Sequence, residues 1–218
     1  MPRRFDLIVF DWDGTLVDST AMIALAIQKA AEDLGLVVPT LEQASHVIGL
    51  GLNDALARAV PELPLTRIDE FSARYRIHYF AREPEIVLFD GVRDLLSELS
   101  EQAVPLAVAT GKSRRGLARA FEATGLGMLF GSSRCADETN PKPHPAMLLE
   151  LASEFAVAPD RILMIGDTTH DLQMASAAGA HGIGVVYGAH PRDQLLALAP
   201  LALVASVAEL RAWLRLNG

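Results

Sequence analysis

The sequence predicts an α/β fold in which a doubly wound parallel-sheet (Rossmann-like) core carries an inserted α-helical cap domain. Two patterns lead to this prediction. After about residue 90, short apolar segments alternate with amphipathic helical segments, which is typical of right-handed βαβ units. Before that point, residues 19–88 contain one helical segment after another without a convincing strand. Because an apolar strand precedes them, these helices interrupt the sheet-forming part of the chain.

The core strands are predicted from short β-branched or apolar runs with turn residues at their ends, as expected for strands buried on both faces. They lie at residues 7–10, 105–109, 161–165 and 182–186, with a further short strand at 201–204. Helical periodicity predicts the helices of this part at 92–100, 114–124, 145–155, 171–178 and 207–216. The order of these elements predicts a sheet with helices on both faces.

The helical interval predicts a second, smaller domain. Its amphipathic segments lie at 20–35, 40–47, 53–60 and 66–81, and Gly35 is a suitable C-cap for the first. We therefore predict that residues 1–16 and 89–218 form the core and that residues 17–88 form the cap. An insertion at this place would cover whatever follows the first strand and exclude water from it. Helices that simply pack on the sheet are the alternative.

Composition limits the classes of partner. The 218 residues are 50% hydrophobic and 21% charged, as in an ordinary globular protein. A net charge of −8 disfavours nucleic acid, which requires a concentrated basic face. No apolar run approaches the length of a membrane span, and no signal sequence is recognisable. The single Cys135 permits no intrachain disulfide, so we expect a cytoplasmic protein with small-molecule partners; the sequence makes no prediction of oligomeric state.

Two carboxylates follow the first strand. Asp11 and Asp13 are two residues apart, so in an extended segment they point to the same side, and Gly14 then ends the strand. A calcium loop with this beginning would continue with further oxygen ligands and a closing Glu, but Thr15 follows here. The pattern therefore favours a catalytic site at the end of a strand.

Polar residues also follow two later strands, and ligands of open parallel sheets bind at this edge. Thr110, Gly111 and Lys112 follow one strand, and Asp167 follows another. Between these two strands, Lys142 lies in a proline-stiffened turn. We expect all these side chains to converge on one site.

The set fits the hydrolysis of a small-molecule phosphate monoester. A dianionic phosphoryl group repels a carboxylate nucleophile, so a divalent cation is required, and Asp11 and Asp167 would bind it. Mg²⁺ suits such an all-oxygen site, since no Cys or His cluster favours zinc.

Each group has a role in that reaction. Asp11 would attack phosphorus and form an aspartyl-phosphate, while Asp13 would act as acid on the leaving alkoxide and then as base on water. The predicted ligands of the phosphoryl oxygens are Lys142, the Thr110 hydroxyl and the backbone N–H groups around Trp12, Asp13 and Gly111.

These motifs, in this order, resemble those of the haloacid dehalogenase (HAD) superfamily of phosphohydrolases. The matching residues are Asp11-x-Asp13-Gly14-Thr15-Leu16, Thr110 with Gly111, Lys142, and Gly166-Asp167-x-x-x-Asp171. The helical insertion, the run Ala109–Ser113 and the run Lys142–Pro145 resemble the phosphoglycolate phosphatase-like branch, which has a small helical cap. The resemblance implies that Asp13 also gives its backbone carbonyl to the metal and that Asp171 supports the site without contacting the metal.

The cap contributes candidates of a different kind. The stretch 46–53 resembles the substrate-specificity loop of the family, so His46, Gly49 and Asn53 are predicted to contact the substrate beyond its phosphate. A plain helix–helix turn is the alternative. Two interpretations also stay open for Lys112, a group beside the phosphate or a solvent-facing charge at a helix start. Ser19 is expected to be an N-cap. For the cap arginines, which are Arg58, Arg67, Arg74, Arg76 and Arg82, contact with a carboxylate of the substrate is one interpretation, and we expect most of them to be solvated helix charges.

Other functions on the same framework are less favoured. A dehalogenase has no need of Asp13 and Asp167, and a phosphonatase needs a cap lysine, of which the chain offers only Lys29 on the first cap helix. A β-phosphoglucomutase-like sugar-phosphate mutase shares the same core and is the main alternative. A non-catalytic regulatory or interaction module is the third, and it predicts damage to the motifs that is not seen.

Overall fold

A six-stranded parallel sheet lies at the centre of the structure, a computed structural model that describes residues 3–217. In chain order the strands are β1 (Leu7–Phe10), β2 (Val17–Asp18), β3 (Val87–Leu88), β4 (Leu106–Thr110), β5 (Ser132–Cys135), β6 (Ile162–Gly166), β7 (His181–Val185) and β8 (Ala202–Val204). The large sheet has the order β5-β4-β1-β6-β7-β8, and all its pairs are parallel. Strand β1 is central, which places the residues after it in the middle of the sheet edge.

Helices cover this sheet on both sides, which confirms the predicted fold class. The helices are α1 (Thr20–Asp33), α2 (Leu41–His46), α3 (Leu52–Ala59), α4 (Ile68–Arg82), α5 (Val92–Glu101), α6 (Arg114–Thr124), α7 (Ala146–Phe155), α8 (Thr169–Ala178), α9 (Arg192–Leu196) and α10 (Val207–Asn217). Side chains of β1 alternate between the two faces: Ile8 and Phe10 pack in one hydrophobic cluster, while Leu7 and Val9 pack in another. Both clusters are closed by helices, so the strands are buried as their apolar sequences require.

The sheet has one strand that the sequence pattern did not predict. Strand β5 has the sequence Ser-Ser-Arg-Cys, and only Cys135 within it is fully buried. It lies at the edge of the sheet beside β4, where burial on two faces is not required. A polar edge strand therefore carries no apolar run by which it could be recognised. The short helix α9 was also not predicted.

The helices α1 to α4 form a separate hydrophobic cluster. Its fully buried members include Ile27, Ala30, Leu56 and Phe71, and none of its members belongs to the sheet. Strands β2 and β3 pair antiparallel, so the chain enters and leaves this helical region through two neighbouring segments. The predicted domain boundaries fall beside these segments, and the division into two domains remains a prediction.

Candidate active site

Three carboxylates meet at the carboxyl edge of the sheet. Asp11 follows β1, and its N–H donates to the carbonyl of Ile165 over 2.9 Å, which continues the pairing with β6. Asp167 follows β6, and Asp171 lies in the first turn of α8. One oxygen from each of these carboxylates lies within 4.8 Å of the others, and all three side chains are buried. The parallel topology thus brings together residues far apart in sequence.

Close backbone packing holds Asp167 in place. Its Oδ1 accepts from the Thr15 hydroxyl at 3.1 Å, and its Oδ2 accepts from the Ala189 N–H at 2.7 Å. Two glycines pack directly on it: a Cβ at Gly14 would lie 2.1 Å from Oδ2, and one at Gly188 would lie 2.2 Å from the same atom. Gly14 also has φ +79°, a left-handed conformation that glycine adopts readily. The first motif therefore needs glycine both to turn the chain and to admit this carboxylate.

Lys142 lies between two of the carboxylates. Its Nζ is 2.7 Å from Asp11 Oδ1 and 2.6 Å from Asp171 Oδ1, and its side chain is fully buried. Both distances are those of close ion pairs, so the ammonium of Lys142 is engaged by the two carboxylates and balances part of their charge. Asp171 Oδ2 accepts from the Thr168 N–H and hydroxyl at 3.0 and 2.7 Å, which caps α8. Asp171 is thus held by its own helix and by Lys142.

Burial changes the acid–base properties of this cluster. Burial raises the pKa of Asp11 to about 7, although the positive charge of Lys142 acts to lower it. Burial also raises the pKa of Asp167 well above its usual range. Burial lowers the pKa of Lys142, but the attraction of Asp11 and Asp171 outweighs this and raises it overall. Three carboxylates therefore face one ammonium in a site with little water.

The residues present fit a divalent metal ion. Asp11 Oδ2 is buried and has no hydrogen-bond partner among residues 3–217, an arrangement that is costly unless another group binds it. A divalent cation would balance the excess of carboxylates over ammonium. The donor atoms are oxygens throughout, which favours Mg²⁺ over softer metals.

Both oxygens of Asp13 are held by side chains. Oδ1 accepts from the Ser19 hydroxyl at 2.7 Å, and Oδ2 lies 2.9 Å from Lys112 Nζ. Ser19 occupies the N-cap position of α1 as predicted, but its side chain makes no cap hydrogen bond. The expected capping role of Ser19 is therefore corrected: its hydroxyl orients Asp13.

Lys112 links the core to the helical region. Its side chain is only 12% exposed, and besides Asp13 it donates to the Tyr79 hydroxyl of α4 at 2.9 Å. The solvent-facing interpretation of Lys112 is wrong. Burial lowers its pKa, while Asp13 and the Tyr79 side chain raise it, and the net direction is upward. Lys112 is therefore a largely buried cation that connects Asp13 of the core with Tyr79 of the helical region.

The second motif contacts the loop between α2 and α3, residues 47–51, which we call the cap loop. Thr110 is buried at the end of β4, and its hydroxyl accepts from the Lys112 N–H at 3.2 Å. A Cβ at Gly111 would lie 2.5 Å from the carbonyl oxygen of Leu50 and 2.6 Å from that of Gly49. Gly111 therefore permits the loop between α2 and α3 to rest on the core. Within the described part of the chain, the N–H groups of Trp12, Asp13 and Gly111 donate to no backbone carbonyl.

A cavity of about 420 Å³ lies between these elements. Asp11, Asp13, Thr110 and Gly111 line it from the core. Two of the predicted specificity residues also line it, Gly49 from the loop between α2 and α3 and Asn53 from α3. The side-chain oxygen of Asn53 accepts from the Ser72 hydroxyl at 3.1 Å. The site thus has a polar floor and a roof made by the helical region.

The third specificity candidate, His46, lies elsewhere. Its ring stacks on His190 with a centroid distance of 4.6 Å, and it does not line the cavity. Its carbonyl accepts from Nε2 of His170 at 3.0 Å and from Nε2 of His190 at 3.1 Å. The proposed substrate contact of His46 is therefore corrected, since this residue joins the cap to the core through its backbone.

Trp12 packs away from the cavity, as predicted for its ring. The side chain is 1% exposed and makes edge contacts with Phe121 and Phe130.

Sequence reasoning did not identify Tyr75 or Tyr79 of α4, which line the cavity, as site residues. Their spacing of four residues places them on one helix face, a signal shared with ordinary packing residues.

Comparisons with known proteins agree with this arrangement. The family model described as haloacid dehalogenase-like hydrolase matches residues 8–185. The chain is 37% identical over 209 residues to the probable phosphatase IndB of Dickeya dadantii, covering 93% of this chain and 90% of that protein. It is 35% identical over 191 residues to the phosphoglycolate phosphatase of Aliivibrio fischeri, covering 84% of each.

Solved structures show the same fold. The crystal structure of a predicted phosphoglycolate phosphatase from Haemophilus somnus has a TM-score of 0.85 at 29% identity, covering 96% of this chain and 98% of that one. A hydrolase from Pseudomonas syringae has a TM-score of 0.88 at 22% identity, covering 98% of each chain, and it supports the fold alone. With the family model matching most of the chain, and with relatives above 30% identity over most of their length, the protein belongs to the haloacid dehalogenase-like hydrolase family.

Proposed function

We propose that the protein is a phosphatase that hydrolyses a small-molecule phosphate monoester, with Mg²⁺, through an aspartyl-phosphate on Asp11. The observation that carries this proposal is the buried Asp11 carboxylate, which has an unpartnered Oδ2 and the Lys142 ammonium 2.7 Å from its other oxygen. Its relatives include proteins named phosphatase and phosphoglycolate phosphatase, which supports the reaction class.

The carboxylates of Asp11 and Asp167, with the backbone carbonyl of Asp13, would hold the metal. When bound, Mg²⁺ supplies positive charge that reduces the repulsion between the Asp11 carboxylate and the dianionic phosphate. Asp171 would support the site without binding the metal, because its oxygens already contact Lys142 and the start of α8.

In the first half-reaction, an oxygen of Asp11 attacks phosphorus and the bond from phosphorus to the leaving oxygen breaks. Asp13 donates its proton to that oxygen, so an alcohol departs. In the second half-reaction, Asp13 takes a proton from water as the water attacks phosphorus. The bond to Asp11 then breaks, which releases inorganic phosphate and regenerates both carboxyl groups.

Donors around the cavity floor would stabilise the phosphoryl oxygens. Lys142 holds its ammonium 2.7 Å from the Asp11 carboxylate that would receive the phosphoryl group, and Thr110 presents a buried hydroxyl beside the cavity. The N–H groups of Trp12, Asp13 and Gly111 donate to no backbone carbonyl among the described residues, so they suit the same role. Donors held in place before the reaction stabilise developing charge more effectively than water does.

Phosphate release from p-nitrophenyl phosphate tests the proposal. We expect activity with Mg²⁺, loss of activity with EDTA and a trapped species heavier by one phosphoryl group after rapid acid quench. Asp11→Asn should lower kcat by more than about 10⁴-fold, as removal of a nucleophile does. Asp160→Asn, on the exposed surface, is the matched control.

Two results would contradict the proposal: Asp11→Asn that keeps wild-type activity, or turnover that is unaffected by EDTA. A sugar-phosphate mutase would instead yield an isomerised product without net release of phosphate. The same assay would therefore separate the two candidate reactions when it is run with a hexose phosphate.

A further inference from the structure

The helical region lines part of the cavity with apolar side chains, and we call this part its cap end. Ile23 and Ile27 of α1, Ile48 and Leu50 of the cap loop, and Tyr75 of α4 all line it. All of these except Tyr75 belong to the buried side chains of the helical cluster, so their positions are fixed by packing. The part of a substrate beyond its phosphate would lie against this wall.

Aromatic rings extend the wall along α4. Tyr75 and Tyr79 are stacked with a centroid distance of 5.7 Å and an interplanar angle of 24°. Tyr79 in turn makes an edge contact with Phe80, which also lines the cavity. Faces and edges of this kind favour contact with another apolar or aromatic group.

Positive charge is scarce at this end. Lys112 is already engaged by Asp13 and Tyr79, at 2.9 Å from each. Two acidic residues, Asp54 and Asp137, also line the cavity, and the other cation that lines it, Arg76, is exposed to solvent. A substrate carboxylate at this end would have to leave water without a buried cation to receive it, which is unfavourable.

The volume also indicates a larger leaving group. At about 420 Å³ the cavity falls in the range of sites that enclose whole organic ligands. The phosphoester of a two-carbon hydroxy acid would leave much of this space to water. An uncharged alcohol with an apolar ring or chain would displace that water and contact the wall.

We propose that the leaving group of the substrate is an uncharged alcohol with an apolar, ring-sized body that packs against Tyr75, Ile27 and Ile48. This inference rests on the proposed phosphatase function and specifies its substrate class. It distinguishes this chain from an enzyme whose substrate carries a carboxylate beside the phosphoester.

The test compares benzyl phosphate with 2-phosphoglycolate under identical conditions with Mg²⁺. Both release primary alcohols, so the difference in kcat/KM reports mainly the contacts of the leaving group. We expect benzyl phosphate to be favoured by about tenfold or more, since apolar groups of this size are discriminated at that level. Equal values, or preference for 2-phosphoglycolate, would overturn the inference. Hydrolysis of neither ester, nor of p-nitrophenyl phosphate, would instead contradict the proposed phosphatase function.

A variant series locates the effect. Tyr75→Ser removes the ring from the cavity wall and should reduce the preference for benzyl phosphate by about tenfold, whereas Tyr75→Phe should retain it. Ile77→Ala, an exposed position on the same helix outside the cavity, is the matched control. If Tyr75→Ser lowers kcat/KM equally for both substrates, Tyr75 is not a specificity residue and this part of the inference is wrong.

Discussion

The two ends of the cavity differ in how their side chains are held. At the catalytic end, Asp11, Lys142 and Asp171 are in direct ionic contact, and every charge is buried. At the cap end, Ile27 and Ile48 are held by apolar packing within a separate cluster. Ionic contacts require a particular partner at a particular place, whereas apolar packing requires only shape and volume.

This difference teaches how the two tasks are divided. Chemistry on a phosphate needs the same charges for every ester, so the catalytic end can combine only a few residue types. Recognition of the alcohol depends on the shape and polarity of the opposite wall, which can change without disturbing the charges. Substitutions at the catalytic end should therefore lower activity toward every ester, whereas substitutions at the cap end should change the preference among esters.

Among the variants that compare the two ends, Lys142→Met should have the largest combined effect on stability and activity. It leaves Asp11 and Asp171 buried without their cation, so we expect the free energy of unfolding to fall by about 3–5 kcal/mol. Activity should fall by about 10³-fold or more, as after loss of a cation that stabilises a transferring phosphoryl group. Urea unfolding and steady-state kinetics measure the two effects.

Lys29→Met serves as the matched control, because Lys29 makes an exposed pair with Glu32 on α1. Its unfolding free energy and its kinetics should stay close to those of the wild type. A small effect of Lys142→Met on both quantities would mean that the two ends do not differ as described.

Asp13→Asn should affect catalysis, and because it removes the charge opposite Lys112 it should also lower the free energy of unfolding. Because Asp13 would act as acid and base, its loss should lower kcat for alkyl phosphates by about 10²–10⁴-fold. The loss should be smaller for p-nitrophenyl phosphate, whose leaving group needs no proton. The ratio of kcat values for the two esters measures this, with the exposed Asp90→Asn as control. An equal loss for both esters would exclude Asp13 as the acid.

Gly111→Ala tests the contact between the two ends. The added Cβ would lie about 2.5 Å from the carbonyl of Leu50, so the cap loop must move away from the core. We expect a cost of about 1–3 kcal/mol in kcat/KM, as for overpacking in a fitted interface. Gly116→Ala, where the nearest atom is the Ser113 hydroxyl oxygen at 3.4 Å, is the control. Wild-type kcat/KM in Gly111→Ala would show that this contact is not needed for turnover.

Tyr79→Phe should have the smallest effect. It removes one hydrogen bond to Lys112 while the contact between Lys112 and Asp13 remains. The expected change is about 1.5 kcal/mol in kcat/KM, the lower limit for a hydrogen bond to a charged group. A change as large as that of Asp13→Asn would make Tyr79 part of the catalytic end and remove the distinction between the two regions.

Much of the core could be predicted from the sequence because parallel strands have a simple signature. The five predicted strands all occur, each displaced by no more than one residue at either end, and the residues after β1, β4 and β6 meet as expected. Strand β5 was missed because its serines carry no apolar pattern. Lys112 was ambiguous because a residue beside a motif can point either way.

Residues of the helical region were harder to predict for a physical reason. His46 ends α2, Gly49 lies in the following loop and Asn53 lies in α3, but only the latter two line the cavity. Tyr75 and Tyr79 have the same spacing as ordinary packing residues, so nothing in their pattern distinguishes a cavity wall from a protein core. Whether such a residue faces the cavity or packs in the protein core depends on how the helical region is placed against the sheet.

The sequence by itself determined the fold class and the family motifs, and the proposed catalytic side chains follow from these, since all depend on local patterns and on the topology of parallel strands. Only the tertiary structure decided that Ser19 binds Asp13, that Lys112 links Asp13 to Tyr79 and that the cavity has an apolar wall. Each of these depends on contacts between the helical region and the core. Such contacts are set by the packing of whole elements, which residue spacing along the chain does not encode.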